Sequence, residues 1–232
     1  MTIERSIHGI SYTLKRNRGQ RNLRLHLDSA GHVVVSAPYY ASYREIDDFV
    51  TRSSDWISKY SQRVSSHDYQ TGDFVPYLGR KLTLMVIEGK RAGYDLVDDK
   101  VIVTVRKQNE EAVKKVIRKL YTDTVMGFLE RRIPYWCSEI GVDEPKVFQV
   151  NRAKSKWGVC YTVERRICLS YMCATLPEDL IDMTILHECC HLRYSGHGRE
   201  FWSLMEANMS DLDERKAKLS SLTKSGWAMN IV

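Results

Sequence analysis

The sequence lacks any hydrophobic run close to the roughly 20 residues that a membrane-spanning helix requires. Its first residues, MTIERSIHGISYTLKR, also lack the apolar centre of a secretory signal peptide. There is no internal repeat, low-complexity tract or flexible linker. Six cysteines in 232 residues are too few for a fold built on disulfides, so we interpret them as thiols unless a metal binds them. These absences lead us to expect a soluble, cytoplasmic protein.

The overall composition is that of an ordinary globular protein. Hydrophobic residues make up 43% of the chain and charged residues 28%, which excludes disordered and fibrous classes. The length is sufficient for one elaborate domain or two modest ones. The formal net charge of +6 makes the surface mildly attractive to phosphates and acidic partners.

The first half of the chain is predicted to be rich in strands around one helix. The spacing of Ser42 and Glu45 is that of a helix-capping box, and apolar residues follow it at helical intervals. We therefore place a strand-rich N-terminal region at residues 1–107. Alternating or β-branched patterns predict its strands at Thr13–Lys15, Leu23–Leu27, Val33–Val35, Phe74–Leu78, Leu82–Val86, Tyr94–Leu96 and Val101–Val105.

The second half, residues 108–232, is predicted to contain long helices and a short sheet. Helical spacing from Asn109 to Ile140 indicates one long helix or a pair kinked near Pro134. A further helix is expected over Leu180–Leu192, after Pro177. Short strands are expected at Val147–Val150, Trp157–Tyr161 and Arg166–Tyr171. The chain is therefore predicted to be an α+β protein.

The most informative stretch is His187-Glu188-Cys189-Cys190-His191, which has the pattern H-E-x-x-H. At about 100° per helical residue, His191 lies about 40° from His187, and Glu188 lies about 100° from it. Both imidazoles therefore share one face. Two neutral imidazoles one turn apart suit zinc, with Glu188 beside the remaining position. The opposite face of this helix is apolar, with Ile181, Ile185, Cys189 and Leu192.

A catalytic zinc needs a third protein ligand and a water molecule. His197 is the best candidate, because the turn at Ser195-Gly196 allows the chain to fold back, and Glu200 or Glu206 is the alternative. Three of the seven histidines lie between positions 187 and 197, a clustering that packing does not easily explain. We expect one zinc per chain.

Several segments together resemble one protein family. The segments are RAKSKWGVCY at residues 152–161, ICLSY at 167–171, PEDLIDMTILHECCHL at 177–192 and HGREFW at 197–202. The segment YLGR at residues 77–80 also belongs to this set. They are similar to the YgjP-like zinc metallopeptidases, relatives of the SprT and WLM groups. The resemblance implies a strand-rich N-terminal part packed on a zincin-like C-terminal unit. It also implies that His187, His191 and His197 are zinc ligands and that Glu188 is the general base. Cys189, Ser170 and Gly198 depart from the common residues of the family.

The expected reaction is metal-assisted hydrolysis of a peptide bond. Zinc held by three neutral histidines lowers the pKa of its water toward about 7, and Glu188 takes the proton. An edge strand carrying Trp157 and Tyr161 is predicted to bind an extended polypeptide substrate.

Two other functions stay open. A phosphoanhydride hydrolase acting on nucleoside triphosphates would use Arg152, Lys154 and Lys156 as phosphate clamps. A nucleic-acid-associated module would use a structural zinc. Glu188 argues against that module, because a structural site needs no general base.

The segment Lys15–Arg24 has five positive charges in ten residues and no acid. It fits a solvated hairpin, and it also fits a weak nucleic-acid contact through clustered phosphate-binding cations. No helix-turn-helix, zinc-finger or RNP motif supports the second interpretation. The sequence leaves both interpretations open.

Overall fold

The computed structural model describes residues 2–28, 32–58, 69–153, 156–225 and 227. The described chain is a mixed α+β structure with three small sheets, which confirms the predicted α+β class. It divides into two compact units, Met1–Asp68 and Tyr69–Val232. Within the described residues, no helix is both long and apolar enough to cross a membrane.

The first unit is a four-stranded sheet with one helix. Helix α1, Tyr43–Arg52, begins with the predicted capping box: Ser42 Oγ accepts from the Glu45 N–H, and the Glu45 carboxylate accepts from the Ser42 N–H. Its buried Ile46 and Val50 share a core with Leu14 and Val35 of the sheet. The strands are β1 (Thr2–Ile7), β2 (Ile10–Asn17), β3 (Arg24–Leu27) and β4 (Val33–Pro38), in the order β1-β2-β4-β3.

The second unit begins with another four-stranded sheet, packed against a long helix. Helix α2, Glu110–Glu139, passes through Pro134 as a single helix. Leu84 and Val103 of the sheet and Ile117 of the helix belong to one core, which is why residues 69–107 lie in the second unit. The strands are β5 (Phe74–Tyr77), β6 (Arg80–Glu88), β7 (Gly93–Val97) and β8 (Lys100–Val105), in the order β5-β6-β8-β7.

The rest of the second unit is a three-stranded sheet followed by helices. Its order is β10-β11-β9, so β10 lies at an edge, as predicted for this segment. Strand β11 pairs parallel to β9 and antiparallel to β10. The elements are β9 (Val147–Asn151), β10 (Gly158–Tyr161), β11 (Arg166–Ser170), a 3-10 helix (Tyr171–Thr175), α3 (Glu178–Cys190), α4 (Arg199–Asn208) and α5 (Leu212–Ser225).

Helix α3 is held firmly on one side by α2. Nine of its 13 residues are buried, so it lies in the interior of the second unit. The Arg132 guanidinium of α2 donates two hydrogen bonds to the Asp182 carboxylate, and Trp136 Nε1 donates a third at 2.8 Å. A bidentate, charge-assisted contact of this kind fixes geometry as well as adding stability. Asp182 therefore sets how α3 lies against α2.

The start of α3 is held by the turn between β5 and β6. Leu78 and Gly79 both have positive φ, +47° and +78°, as a two-residue hairpin turn requires. The Leu78 N–H donates to the Ala174 carbonyl at 2.8 Å. A Cβ on Gly79 would lie 2.6 Å from Pro177 Cγ, so only glycine allows this approach. The turn thus packs directly against the residue that precedes α3.

Candidate metal centre and active site

Three histidine rings converge at the end of α3. His187 lies in the last turn of the helix and His191 caps it, while His197 precedes α4. The Nε2 atoms of His187 and His197 are 3.0 Å apart. One nitrogen of each ring lies within 4.8 Å of the others, and the three form a group able to hold a metal ion. The structure therefore brings together all three histidines named from the sequence.

Aromatic side chains of α4 support the three rings. Phe201 is fully buried, and its ring centroid lies 4.9, 4.7 and 4.8 Å from those of His187, His191 and His197. Trp202 stacks on His197 with centroids 5.8 Å apart and an interplanar angle of 29°. These contacts restrict the ring orientations before any metal binds.

The surroundings favour neutral imidazoles. Burial lowers the pKa of His187 to about 4, with further lowering by the neighbouring His191 and His197. Burial also lowers the pKa of His191, and a hydrogen bond to the Tyr194 carbonyl partly opposes this shift. His191 Nδ1 is 2.9 Å from that carbonyl oxygen, so Nδ1 carries the proton and Nε2 keeps its lone pair. Neutral rings with free lone pairs are the form that binds metal.

The spacing of the nitrogens fits zinc. Two nitrogens bound to tetrahedral zinc at about 2.0–2.1 Å lie about 3.3 Å apart. The observed 3.0 Å between Nε2 of His187 and Nε2 of His197 is close to this value. Glu200 and Glu206, the alternative third ligands, are exposed and do not belong to the metal-binding group found among the described residues.

The Glu188 carboxyl is buried against strand β10. Its side chain is on α3, the residue is only 5% exposed, and the Cys160 backbone N–H donates to its carboxylate. Burial raises the pKa of Glu188 to about 8, against the opposing effects of that hydrogen bond and of the Lys156 charge. A carboxyl that titrates near neutral pH can both accept and release a proton.

The approach of Glu188 to β10 depends on Gly158. A Cβ at this position would lie 2.5 Å from Glu188 Oε1 and 2.9 Å from its Cδ. This role of Gly158 is not among the predictions made from the sequence. The available signal was a glycine inside a predicted strand, which often marks a close approach of another group to the backbone.

Glu188 lies on the side of β10 that faces away from β11. The Ser170 N–H donates to the Trp157 carbonyl at 2.8 Å. Because main-chain groups alternate in direction along an antiparallel pair, those of Gly158 and Cys160 point away from β11. The Cys160 N–H on this side is the donor to Glu188. The carboxyl thus lies next to the outward main-chain groups of the strand and engages one of them.

The two residues predicted to bind substrate lie at the ends of β10. Trp157 precedes the strand and is partly buried against the core of the second unit. Tyr161 ends the strand, is 38% exposed, and has the Arg166 guanidinium 3.9 Å from its ring centroid. Their positions flank the edge, and their role in substrate binding stays a prediction.

The structure describes two of the three cations considered as phosphate clamps. Arg152 and Lys156 are exposed, and Lys154 lies outside the described residues. Lys156 is near enough to Glu188 for its charge to lower the carboxyl pKa. At least one of these cations therefore acts electrostatically on the site.

The three convergent imidazoles could hold a metal ion, and the helix that bears His187 also bears the buried Glu188 carboxyl. The family described as "YgjP-like, metallopeptidase domain" matches residues 21–222 of the 232-residue chain, and the chain belongs to this family. The match confirms the resemblance inferred from the sequence. Comparisons with curated proteins and with solved structures found no match.

Proposed function

We propose that the protein is a zinc-dependent metallopeptidase in which Glu188 is the general base. The observation that carries this proposal is one buried carboxyl that contacts strand β10 and belongs to the same helix as His187, one of three convergent imidazoles able to hold a metal ion. Membership of a metallopeptidase-domain family supports a metal-dependent hydrolase. A purely structural metal site has no use for such a carboxyl.

His187, His191 and His197 would hold the zinc. When bound, zinc supplies Lewis acidity that polarises a carbonyl group and acidifies a water molecule. The Tyr194 carbonyl keeps the His191 ring in the tautomer that leaves Nε2 available. Phe201 contacts all three rings and keeps water from one side of them.

Glu188 would move the proton. In its ionised form the carboxylate would take a proton from the attacking water and return it to the leaving amine. The Cys160 N–H fixes one end of the carboxyl, and Gly158 leaves room for it. The position of the carboxyl is therefore set by backbone atoms of β10.

A polypeptide is the substrate that the edge of β10 best suits. An extended peptide pairs with an edge strand through main-chain hydrogen bonds, independent of its own sequence. Because the Cys160 N–H donates to Glu188, the outward groups left for a peptide are those of Gly158 and the Cys160 carbonyl, and a peptide on this edge would pass next to the carboxyl. Trp157 and Tyr161 would contact its side chains.

A nucleoside-triphosphate hydrolase is the second candidate, favoured by the effect of the Lys156 charge on Glu188. The two functions differ in what they need from Arg152, Lys154 and Lys156. An arginine that stabilises a transferring phosphoryl group contributes about 10³–10⁵-fold in rate, so its loss would be severe for that function. We expect the protein to cleave some unfolded or flexible polypeptide, and the triple alanine variant at these positions to lose only a few-fold of that turnover.

Substrate profiling distinguishes the two candidates. Wild type and the triple variant are assayed against a broad peptide library, unfolded proteins and nucleoside triphosphates. A control variant, Lys90→Ala/Arg91→Ala/Lys107→Ala, removes the same charge from exposed positions elsewhere in the second unit. Triphosphate hydrolysis abolished both in the clamp variant and in Glu188→Gln, with no peptide cleaved, would replace the peptidase by the second candidate.

Gly158→Ala is expected to lower peptide hydrolysis by about 10–100-fold, because a displacement of about 1 Å in a reacting group can cost this much. The added Cβ would lie 2.5 Å from Glu188 Oε1, so the carboxyl must move. Zinc content should be unchanged, since Glu188 is not a proposed ligand. The matched control is Gly93→Ala on β7, where a Cβ meets nothing within 4 Å. Full turnover by folded Gly158→Ala would contradict the positioning role of Gly158.

A further inference from the structure

We propose that the first unit binds single-stranded nucleic acid. The site is a tyrosine–arginine surface formed by Arg18, Arg21, Tyr39, Tyr40 and Tyr43. This inference comes from the side chains of the first unit alone and does not rest on the proposed hydrolysis.

Two loops at one end of the first sheet build this surface. One connects β2 to β3 and the other connects β4 to α1. Arg16 Nη1 donates to the carbonyls of Tyr39 at 2.7 Å and Ala41 at 2.8 Å. The Tyr40 hydroxyl donates to the Arg21 carbonyl at 3.4 Å. The loops are thus tied together, and their side chains share one surface.

The tyrosine rings are unusually open to solvent. Tyr40 is 79% exposed, Tyr39 61% and Tyr43 44%. The Arg18 guanidinium lies 5.8 Å from the Tyr39 ring centroid, and that of Arg16 lies 4.9 Å from the Tyr43 centroid. Exposed rings with arginines beside them are the elements on which single-stranded nucleic acids stack.

The charge around these rings complements a phosphate backbone. Residues 15–27 and 32–44 contain six lysines and arginines and no acidic residue. Lys15 of β2 and Arg24 of β3 both lie opposite Ser36 of β4 in the strand register. Both residues are exposed, so they add positive charge to the same end of the sheet. The nearest acids along the chain after this stretch are engaged: Glu45 with Ser42, and Asp47 with Arg5 and Tyr12.

Unpaired bases suit this surface better than a duplex or an acidic protein. Bases of a duplex are stacked on each other, and reading them needs a helix or ribbon that enters a groove. An acidic protein would use the arginines and leave the exposed rings of Tyr39 and Tyr40 unused, while the Tyr43 ring already has the Arg5 and Arg16 guanidiniums 4.3 and 4.9 Å from its centroid. A single strand uses both, because its phosphates reach Arg18 and Arg21 while its bases stack on tyrosines.

Fluorescence anisotropy with labelled 12-nucleotide oligo(dT) and oligo(rU) tests the proposal on the full chain. We expect both to bind at low salt. Tyr39→Ala and Tyr40→Ala should each weaken binding by about 5- to 100-fold, as loss of one stacking platform does. Tyr39→Phe keeps the ring and should bind like wild type, whereas Tyr40→Phe also removes the hydroxyl that donates to the Arg21 carbonyl and is therefore not used as a control.

Salt dependence tests the arginines. Arg18→Ala with Arg21→Ala should reduce the slope of log K against log salt by about 1.4, at about 0.7 per phosphate contact. Arg16 is left unchanged because it donates to loop carbonyls. The charge-matched control Lys90→Ala/Arg91→Ala should keep the wild-type slope.

Three results would overturn the proposal. These are no binding of either oligonucleotide at low salt, wild-type affinity in folded Tyr39→Ala/Tyr40→Ala, or competition by polyglutamate or duplex DNA equal to that by the single strand. Circular dichroism of each variant establishes that it is folded.

Discussion

Glu188→Gln is expected to lower hydrolysis by about 10²–10⁴-fold, the usual contribution of a general base, while zinc binding stays at the wild-type level. Glutamine keeps the shape of the side chain, and its amide oxygen can still accept from the Cys160 N–H that holds Glu188. It cannot take a proton from water. The variant thus separates proton transfer from metal binding and from folding.

Hydrolysis of unfolded protein and zinc content are measured on the same preparations. The control is Glu200→Gln, which makes the same chemical change at an exposed position on α4. Unchanged turnover in Glu188→Gln would remove Glu188 as the general base. Loss of zinc would instead make Glu188 a ligand and contradict the three-histidine site.

The grouping of the histidines could be predicted from sequence because the periodicity of a helix is local. The four-residue interval between His187 and His191 determines that their rings share a face. His197 required only a short turn at Ser195-Gly196 to return to them. The ring contacts of Phe201 depend on how α4 packs, which spacing alone does not determine.

The positioning of Glu188 could not be predicted in the same way. It depends on a contact between β10 and α3, elements separated by β11 and the 3-10 helix. No local pattern gives the distance between Gly158 and Glu188. The resemblance included the Trp157-Gly158 pair without showing what the glycine does.

Elsewhere in the fold, too, features that depend on a short sequence spacing could be predicted, and features that depend on packing could not. The capping box at Ser42 depends on a three-residue spacing and is observed. Strand β1, Thr2–Ile7, was missed because its side chains alternate only between exposed and partly buried positions, with no strong apolar face. The continuity of α2 through Pro134 depends on packing, since Ile133 and Trp136 on either side are buried.

The second large effect expected is the loss of zinc from His187→Ala/His191→Ala. The double variant leaves one imidazole of three, and a tetrahedral zinc site needs three protein ligands besides water. His197→Ala tests the third ligand separately. Because His197 is exposed, its removal should weaken zinc binding without unfolding the protein.

The central claim is that the metal is held by these histidines, and zinc analysis by mass spectrometry after exhaustive dialysis tests it most directly. Cys190→Ser is the control, because Cys190 is a buried thiol next to His191 and thiolates are the other common zinc ligands. We expect about one zinc per chain in wild type and in Cys190→Ser, and almost none in the double histidine variant, as a single three-histidine site requires. Full zinc occupancy in His187→Ala/His191→Ala, or its loss in Cys190→Ser, would contradict the account.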